Sequence, residues 1–275
     1  MTKQQEHARA RRRKEARRGT QQVISESAKD KRLFGAILAV ILVVAAAIAI
    51  PHFLPDSDAA PAAAPTPAAA TTAALEEGQR LAAGCEQPPT LQTTPKTFAT
   101  VPDKKTAAGR TFVATVTTTC GDLTFELDGT KAPQTVASFV FLAERGYWAP
   151  SPCHRVTSAG IFVLQCGDPT GTGSGDPGYG FGVENAPKDG VYPAGTLAMA
   201  RTSDPNSNGG QFFITYKKTT LPTKGGGYTI FGTVTDGLDI VKKIASHKAL
   251  PPNQNDGTPV SPISILSVKV TEKKA

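Results

Sequence analysis

The sequence predicts a mainly β domain, an antiparallel sheet closed into a barrel with helices packed on it. Three observations carry this. Two adjoining stretches, Thr111–Thr118 and Asp122–Leu127, alternate strictly between apolar and polar residues. The rest of the C-terminal half repeats short apolar runs separated by Gly, Pro, Asn and Asp. Only two short segments carry helical spacing, too few to cover both faces of an open sheet.

In chain order, Phe112, Ala114 and Val116 share one side of the first strand. After Cys120-Gly121, Leu123, Phe125 and Leu127 alternate with Asp122, Thr124 and Glu126, so the two stretches form a hairpin. Pro133 suits a first helical turn. Val136, Phe139, Val140 and Ala143 follow at i, i+3, i+4 and i+7, and Gly146 ends that helix. From Cys153 to Asp168 two short strands form a second hairpin, with Arg155 in one and Gln165 ending the other. From Gly195 to Ile214 a polar turn leads into Gln211-Phe212-Phe213-Ile214. Folded together, these two blocks make an apolar pocket with an arginine and two amides at its rim. Tyr228–Val234 reads as a strand, Leu238–Ala245 as an amphipathic helix capped by Asp236, and Ile263–Val270 as a closing strand. The Gly-rich loop Gly167–Gly182 lacks the Gly-Lys-Ser/Thr ending of a phosphate cradle and reads as a turn-rich connection.

Ahead of residue 110 the chain changes character. The net charge of +7 belongs to residues 1–32, with 11 basic and 4 acidic side chains; the remainder holds 19 of each, which gives the domain no charge case for nucleic acid. Leu33–Ile50 is an unbroken apolar run of 18 residues, extended by Pro51-His-Phe-Leu54. As a helix it reaches ~27 Å, close to a hydrocarbon core. Residues 33–54 therefore read as a transmembrane helix, with the basic tail (1–32) in the cytoplasm and the domain outside the cell membrane. A cleaved signal peptide is the alternative, against which the apolar run and the region before it are long. Residues 55–84 form an Ala/Pro-rich linker, 85–109 an irregular pre-domain segment, and 110–272 the folded domain, expected to be monomeric.

Four cysteines, Cys85, Cys120, Cys153 and Cys166, all follow the membrane segment, where pairing is allowed. Three pairings are possible. The hairpin would set Cys153 opposite Cys166, which favours that pair and leaves Cys85–Cys120. No Cys-x-x-Cys or His-x-x-His spacing suggests a metal. His154 alternates with Arg155 in a strand and reads as a hydrogen-bonded structural residue facing the other way.

The motifs His154-Arg155, Phe162-Val-Leu-Gln165, Cys166-Gly-Asp-Pro169, Met199-Ala200, Asn206-Ser-Asn-Gly209, Gln211-Phe-Phe213 and Phe231-Gly232 occur in the order and near the spacing found in cyclophilins. From about Thr111 to Val270 the chain resembles that family of peptidyl-prolyl cis–trans isomerases. The resemblance implies an eight-stranded barrel with a helix at each end, proline-containing polypeptides as substrates, and no cofactor. It implies Arg155 as the catalytic donor to the prolyl nitrogen, with Gln165 and Phe213. Phe162, Val163, Phe213 and Leu221 would line the proline pocket, Gln165 and Gln211 would hold substrate carbonyls and Arg155, the Ala200-Arg201-Thr202 backbone would pair with an extended substrate, and Tyr228 would stand at the edge. A proline-binding chaperone without turnover, or a membrane-tethered scaffold, are the competing functions.

The chain departs from the family at several places. Val163 stands where methionine is frequent, and Cys166 replaces a glycine. Two extra residues separate Arg155 from Phe162. Thr220 or Leu221 takes the place of the tryptophan usual in cyclosporin-sensitive members, which implies weak cyclosporin binding.

Overall fold

The computed structural model describes Gly78, residues 84–251 and residues 253–274. The expected basic tail, membrane segment and nearly all of the linker lie outside the described residues. Among those described, no helix is long and apolar enough to cross a membrane.

Strands β1 (Thr111–Thr118) and β2 (Gly121–Asp128) form the expected hairpin, with Ala114 opposite Phe125 and Val116 opposite Leu123. Helix α1 (Pro133–Glu144) follows, then β3 (Ser151–Pro152), β4 (Arg155–Thr157), β5 (Val163–Cys166), β6 (Val191–Tyr192), β7 (Thr196–Met199), β8 (Phe212–Thr215), β9 (Thr219–Thr220) and β10 (Ile230–Asp236). Helix α2 (Leu238–Ser246), β11 (Asp256–Gly257) and β12 (Ser264–Glu272) complete the chain. All the ladders are antiparallel.

The sheet corrects the expected closed eight-stranded barrel. Ten strands form one curled ladder in the order β11-β4-β5-β8-β7-β10-β2-β1-β12-β3, with β6 and β9 paired separately. Hydrogen bonding does not close the ring. To close the ring, residues 151–157 would have to meet β5 along one edge and β12 along the other. Of these, β12 pairs only with Ser151 and Pro152, and the far edge of β4 is taken by β11 (Gly257↔Val156) while β5 holds the near one (Arg155↔Gln165). Pro152 at the changeover has no N–H to give to a ladder. Two half-width pairings joined by Cys153-His154 replace one full strand.

The aromatic centre of the core is Phe125, Phe139, Trp148, Phe212 and Phe231, in ring contacts with centroids 4.7–6.4 Å apart. Helix α1 buries Val136, Phe139, Leu142 and Ala143 against it. No side chain at its own N-terminus caps it. The Glu184 carboxylate does so from a distant loop, accepting from the N–H groups of Gln134 and Thr135 at 3.0 and 2.8 Å. Asp236 does not cap α2. It ends β10, and Gly237 at φ +83° takes the cap position, where a Cβ would meet the Asp122 carbonyl oxygen at 2.5 Å. The irregular segment before β1 is tied down by a Cys85–Cys120 disulfide, by Gln92 donating to the Tyr147 and Pro150 carbonyls, and by Phe98 stacked edge-on against Phe141.

Candidate active site

Ladder register builds the site. Directly opposed residues run across four neighbouring strands as Arg155, Gln165, Phe213 and Ala198, and continue to Ile230 on β10. One residue along, Val156, Leu164, Ile214 and Leu197 make the parallel row, all fully buried in the main core. Side chains alternate between faces, so the first row must point away from the core. A slip of one residue would exchange the two rows.

On that outer face the chain builds a second, smaller apolar cluster of Val163, Tyr192, Ala198, Phe213 and Leu221. It encloses a pocket of about 120 Å³, with Arg155 and Gln165 on one wall, Phe213, Val163 and Leu221 beside them, and Ala200, Arg201 and Tyr228 on the rim. Tyr228 packs edge-on against Phe213 at 5.7 Å. The Tyr192 hydroxyl fixes it by accepting from the Tyr228 N–H at 2.9 Å and donating to its carbonyl at 3.0 Å. The Arg201 guanidinium lies 4.9 Å over the Tyr228 ring and donates to the Gly227, Thr202 and Lys224 carbonyls.

Phe162 is not brought to this pocket. Alternation puts it on the same side as Leu164, where it packs against Tyr216 with ring centroids 6.0 Å apart and has the Lys217 ammonium 5.2 Å over its face. Ile161 lines the pocket instead, in step with Val163 and Gln165. Thr202 and Gln211 line a larger adjoining groove of about 620 Å³, which shares Gln165, Ala200 and Arg201 with the pocket. Along this edge the Ala200 N–H is taken by the Gln211 carbonyl and the Thr202 N–H by the Ser207 hydroxyl.

A relay of amides leads from the glycine-rich loop to the arginine. The Asp168 carboxylate is buried, and burial alone would raise its pKa. Donors from the Gly175 N–H, the Thr170 N–H and the Thr170 and Thr172 hydroxyls at 2.8–3.1 Å outweigh that and take it to about 2. The charged carboxylate thus curls residues 168–175 around itself. The loop offers the Gly173 and Gly175 carbonyls to Gln211 Nε2, each at 3.0 Å. Those acceptors orient the amide, so Gln211 Oε1 accepts from Gln165 Nε2 at 3.0 Å, and Gln165 Oε1 faces Arg155 Nη1 at 3.4 Å.

The other edge of the Arg155 guanidinium meets Asp256, with Nε to Oδ1 and Nη2 to Oδ2 both 2.7 Å. That contact holds the guanidinium above its ordinary pKa and the Asp256 carboxyl below its own. His154 faces away beside the glycine-rich loop. Its Nδ1 has no hydrogen-bond partner among the described residues, contrary to the expected bonded role, and burial lowers its pKa. The cysteines pair as Cys85–Cys120 and Cys153–Cys166, the latter joining the connection just before β4, which carries Arg155, to the end of β5, which carries Gln165.

Ile161, Tyr192 and Asp256 escaped the sequence argument. Strict alternation back from Gln165 selects Ile161. Tyr192 sits in a two-residue strand and Asp256 in a Pro/Asn/Gly-rich stretch, and neither carries a periodic signal.

A curled antiparallel sheet carrying an arginine, two glutamines and a phenylalanine around a small apolar slot defines a class of fold and site that comparison identifies. Residues 112–270 match the family model for cyclophilin-type peptidyl-prolyl cis-trans isomerases, and the chain belongs to that family. It is 38% identical over 202 residues to a probable peptidyl-prolyl cis-trans isomerase B of Mycobacterium tuberculosis, covering 68% of this chain and 64% of that protein. A peptidyl-prolyl cis-trans isomerase-like 1 of Emericella nidulans is 39% identical over 161 residues, covering 58% of this chain and 94% of that one. Among solved structures, a Cryptosporidium parvum cyclophilin-type isomerase crystallised in the presence of the dipeptide Ala-Pro superposes with a TM-score of 0.50 at 32% identity, over 58% of this chain and 99% of that one.

Proposed function

We propose that this protein accelerates cis–trans rotation of X–Pro bonds in polypeptides, and that the Arg155 guanidinium on the pocket wall beside Phe213 carries the chemistry. Rotation is slow because amide resonance imposes a barrier of roughly 18–20 kcal/mol. No bond to a heavy atom breaks, so neither nucleophile nor cofactor is needed. Val163, Phe213 and Leu221 hold the pyrrolidine ring while the acyl side turns. Arg155 donates to the prolyl nitrogen, more strongly as that nitrogen leaves conjugation and its lone pair localises. That difference lowers the barrier. Arginine suits the task because it stays charged and its donors are rigid. Gln165 and Gln211, oriented by the relay, are placed to meet substrate carbonyls. The relative crystallised with Ala-Pro supports proline-containing peptides as the substrate class.

The single observation behind this is the row Arg155–Gln165–Phe213, three chemically distinct side chains held by register around one slot. Arg155→Ala is expected to lose about 1.5–3 kcal/mol of transition-state stabilisation, roughly ten- to a hundredfold in kcat/KM on a proline peptide. An unchanged rate would remove Arg155 from the mechanism. Proline-dependent binding without catalysis would favour a chaperone, and neither would leave a scaffold.

The proposal extends to place. An 18-residue apolar run, basic residues only on its N-terminal side, and two disulfides in the domain support a single-pass membrane protein whose catalytic domain lies outside the cytoplasm and serves exported or cell-surface chains. Protease added to whole cells should digest the domain and spare residues 1–32. Leu221 offers no indole N–H at the pocket, so cyclosporin at concentrations that saturate tryptophan-bearing family members should leave the activity intact. Tight binding in a titration would refute that expectation.

A further inference from the structure

Arg155 is gripped by a residue that has no face on the pocket. Asp256 takes the Nε–Nη2 edge of the guanidinium in a two-point contact, both bonds 2.7 Å, and does not line the cavity in front. The other edge, Nη1, faces Gln165 Oε1 at the longer distance of 3.4 Å. The two contacts thus differ in grip, and the carboxylate is the firmer. An arginine on a strand at the sheet margin, its side chain 38% exposed, would otherwise spread over many rotamers. A carboxylate matched to the guanidinium fork removes that freedom in a way that a single acceptor does not.

The backbone places the carboxylate with equal definition. β11 pairs with β4, Asp256 opposite Thr157 and Gly257 opposite Val156. Beyond the ladder, the Ser158 N–H donates to the Asn255 carbonyl at 2.8 Å and the Ser158 hydroxyl to Asn255 Oδ1 at 3.1 Å. Guanidinium and carboxylate therefore rise from adjacent strands of one ladder. With Nε and Nη2 occupied, the Nη1 end is the one presented toward Gln165 and the slot.

We propose that Asp256 is the positioning residue for Arg155, a role that rests on the isomerase reading above: it selects the arginine rotamer that aims Nη1 into the proline pocket. Exposed ion pairs contribute little to folding, so a residue kept only as a surface salt bridge would leave turnover alone. A positioning residue changes turnover through Arg155 and through nothing else.

The test compares wild type, Asp256→Ala, Asp256→Asn, Arg155→Ala and the double variant R155A/D256A, each as the full chain in detergent, with a proline tetrapeptide as the probe. Asp256→Ala is expected to lower kcat about three- to thirtyfold with KM little changed. Asp256→Asn keeps one acceptor oxygen at the same size and is expected to fall between Asp256→Ala and wild type. It also decides the matter if the alanine variant does not fold. In the Arg155→Ala background, removing Asp256 is expected to have no further effect. An unchanged or raised kcat for both Asp256 variants, or an equal fall in the Arg155→Ala background, overturns the proposal. A wild type without activity, or an Arg155→Ala variant as fast as wild type, would instead sink the isomerase reading and the positioning role with it.

Discussion

Replacing Trp148 with alanine is expected to lower the unfolding free energy by about 3–5 kcal/mol, the range for deleting a large buried aromatic. Trp148 is 2% exposed and packs against Phe139, Tyr147 and Phe212, with ring centroids 4.7–5.9 Å away. No neighbour is free to refill the space, because Phe139 and Phe212 are themselves held by Phe231 and Phe125. The indole also donates to the Gly210 carbonyl at 3.1 Å, and Gly210 adjoins Gln211, the amide that orients Gln165. Trp148→Phe separates the two contributions. It keeps most of the packing and orphans the carbonyl, a loss of about 1–3 kcal/mol. Denaturant titration followed by far-ultraviolet circular dichroism measures both, since no other tryptophan remains to report. A Trp148→Ala midpoint equal to that of wild type would mean that the aromatic centre does not hold this sheet together.

The same packing explains what was legible before folding. Alternation in Thr111–Thr118 and Asp122–Leu127 reads directly onto β1 and β2, because one face of each strand is buried and the other is not. α1 and α2 appear at their expected places; α2 buries one stripe, Val241, Ile244 and Ala245, whereas α1 is buried around most of its circumference from Thr135 to Phe139 and leaves Val140 half-buried. The row Arg155–Gln165–Phe213 was approachable only through the family motifs, because its strands are three or four residues long and β8 is buried along its whole length, too short and too uniform for period two to assign a face. Phe162 shows the limit. Its family motif suggests the pocket, but its phase relative to Gln165 sends it to Tyr216, and phase governs which face a side chain meets. Asp256, Glu184 and Gly237 were illegible for a different reason. Each acts on a partner distant in sequence or through backbone geometry alone: Asp256 lies 101 residues from Arg155, and Glu184 caps a helix 49 and 50 residues earlier. Closure of the barrel failed on a hydrogen-bond count around residues 151–157 that composition does not carry.

Removing the two disulfides is expected to cost stability in unequal amounts and activity in the opposite order. The Cys85–Cys120 bond closes a separation of 35 residues, so its loss frees the larger unfolded loop and costs about 4 kcal/mol; Cys153–Cys166 closes 13 and costs about 3 kcal/mol by the same chain-entropy relation. The first bond holds the irregular segment, whose other ties include Gln92 to the Tyr147 and Pro150 carbonyls, Lys96 to the Arg145 and Gly146 carbonyls, the Phe98 N–H to the Pro177 carbonyl, and the Phe98–Phe141 contact. None of these touches the pocket, so C85A/C120A should unfold earlier yet turn over proline peptides at the wild-type rate below its transition. The second bond joins Cys153, two residues before Arg155, to Cys166, next to Gln165; β4 and β5 are joined otherwise by two residues of ladder, the Thr157 hydroxyl between the Val163 N–H and the Ile161 carbonyl, and one long 3.4 Å contact. C153A/C166A should therefore lose less stability and more activity, because the hairpin can splay without the domain unfolding. Denaturant midpoints and isomerisation rates of both double variants, measured under one condition, decide it. A C153A/C166A protein that turns over as fast as wild type would mean that the sheet register alone holds Arg155 against the pocket.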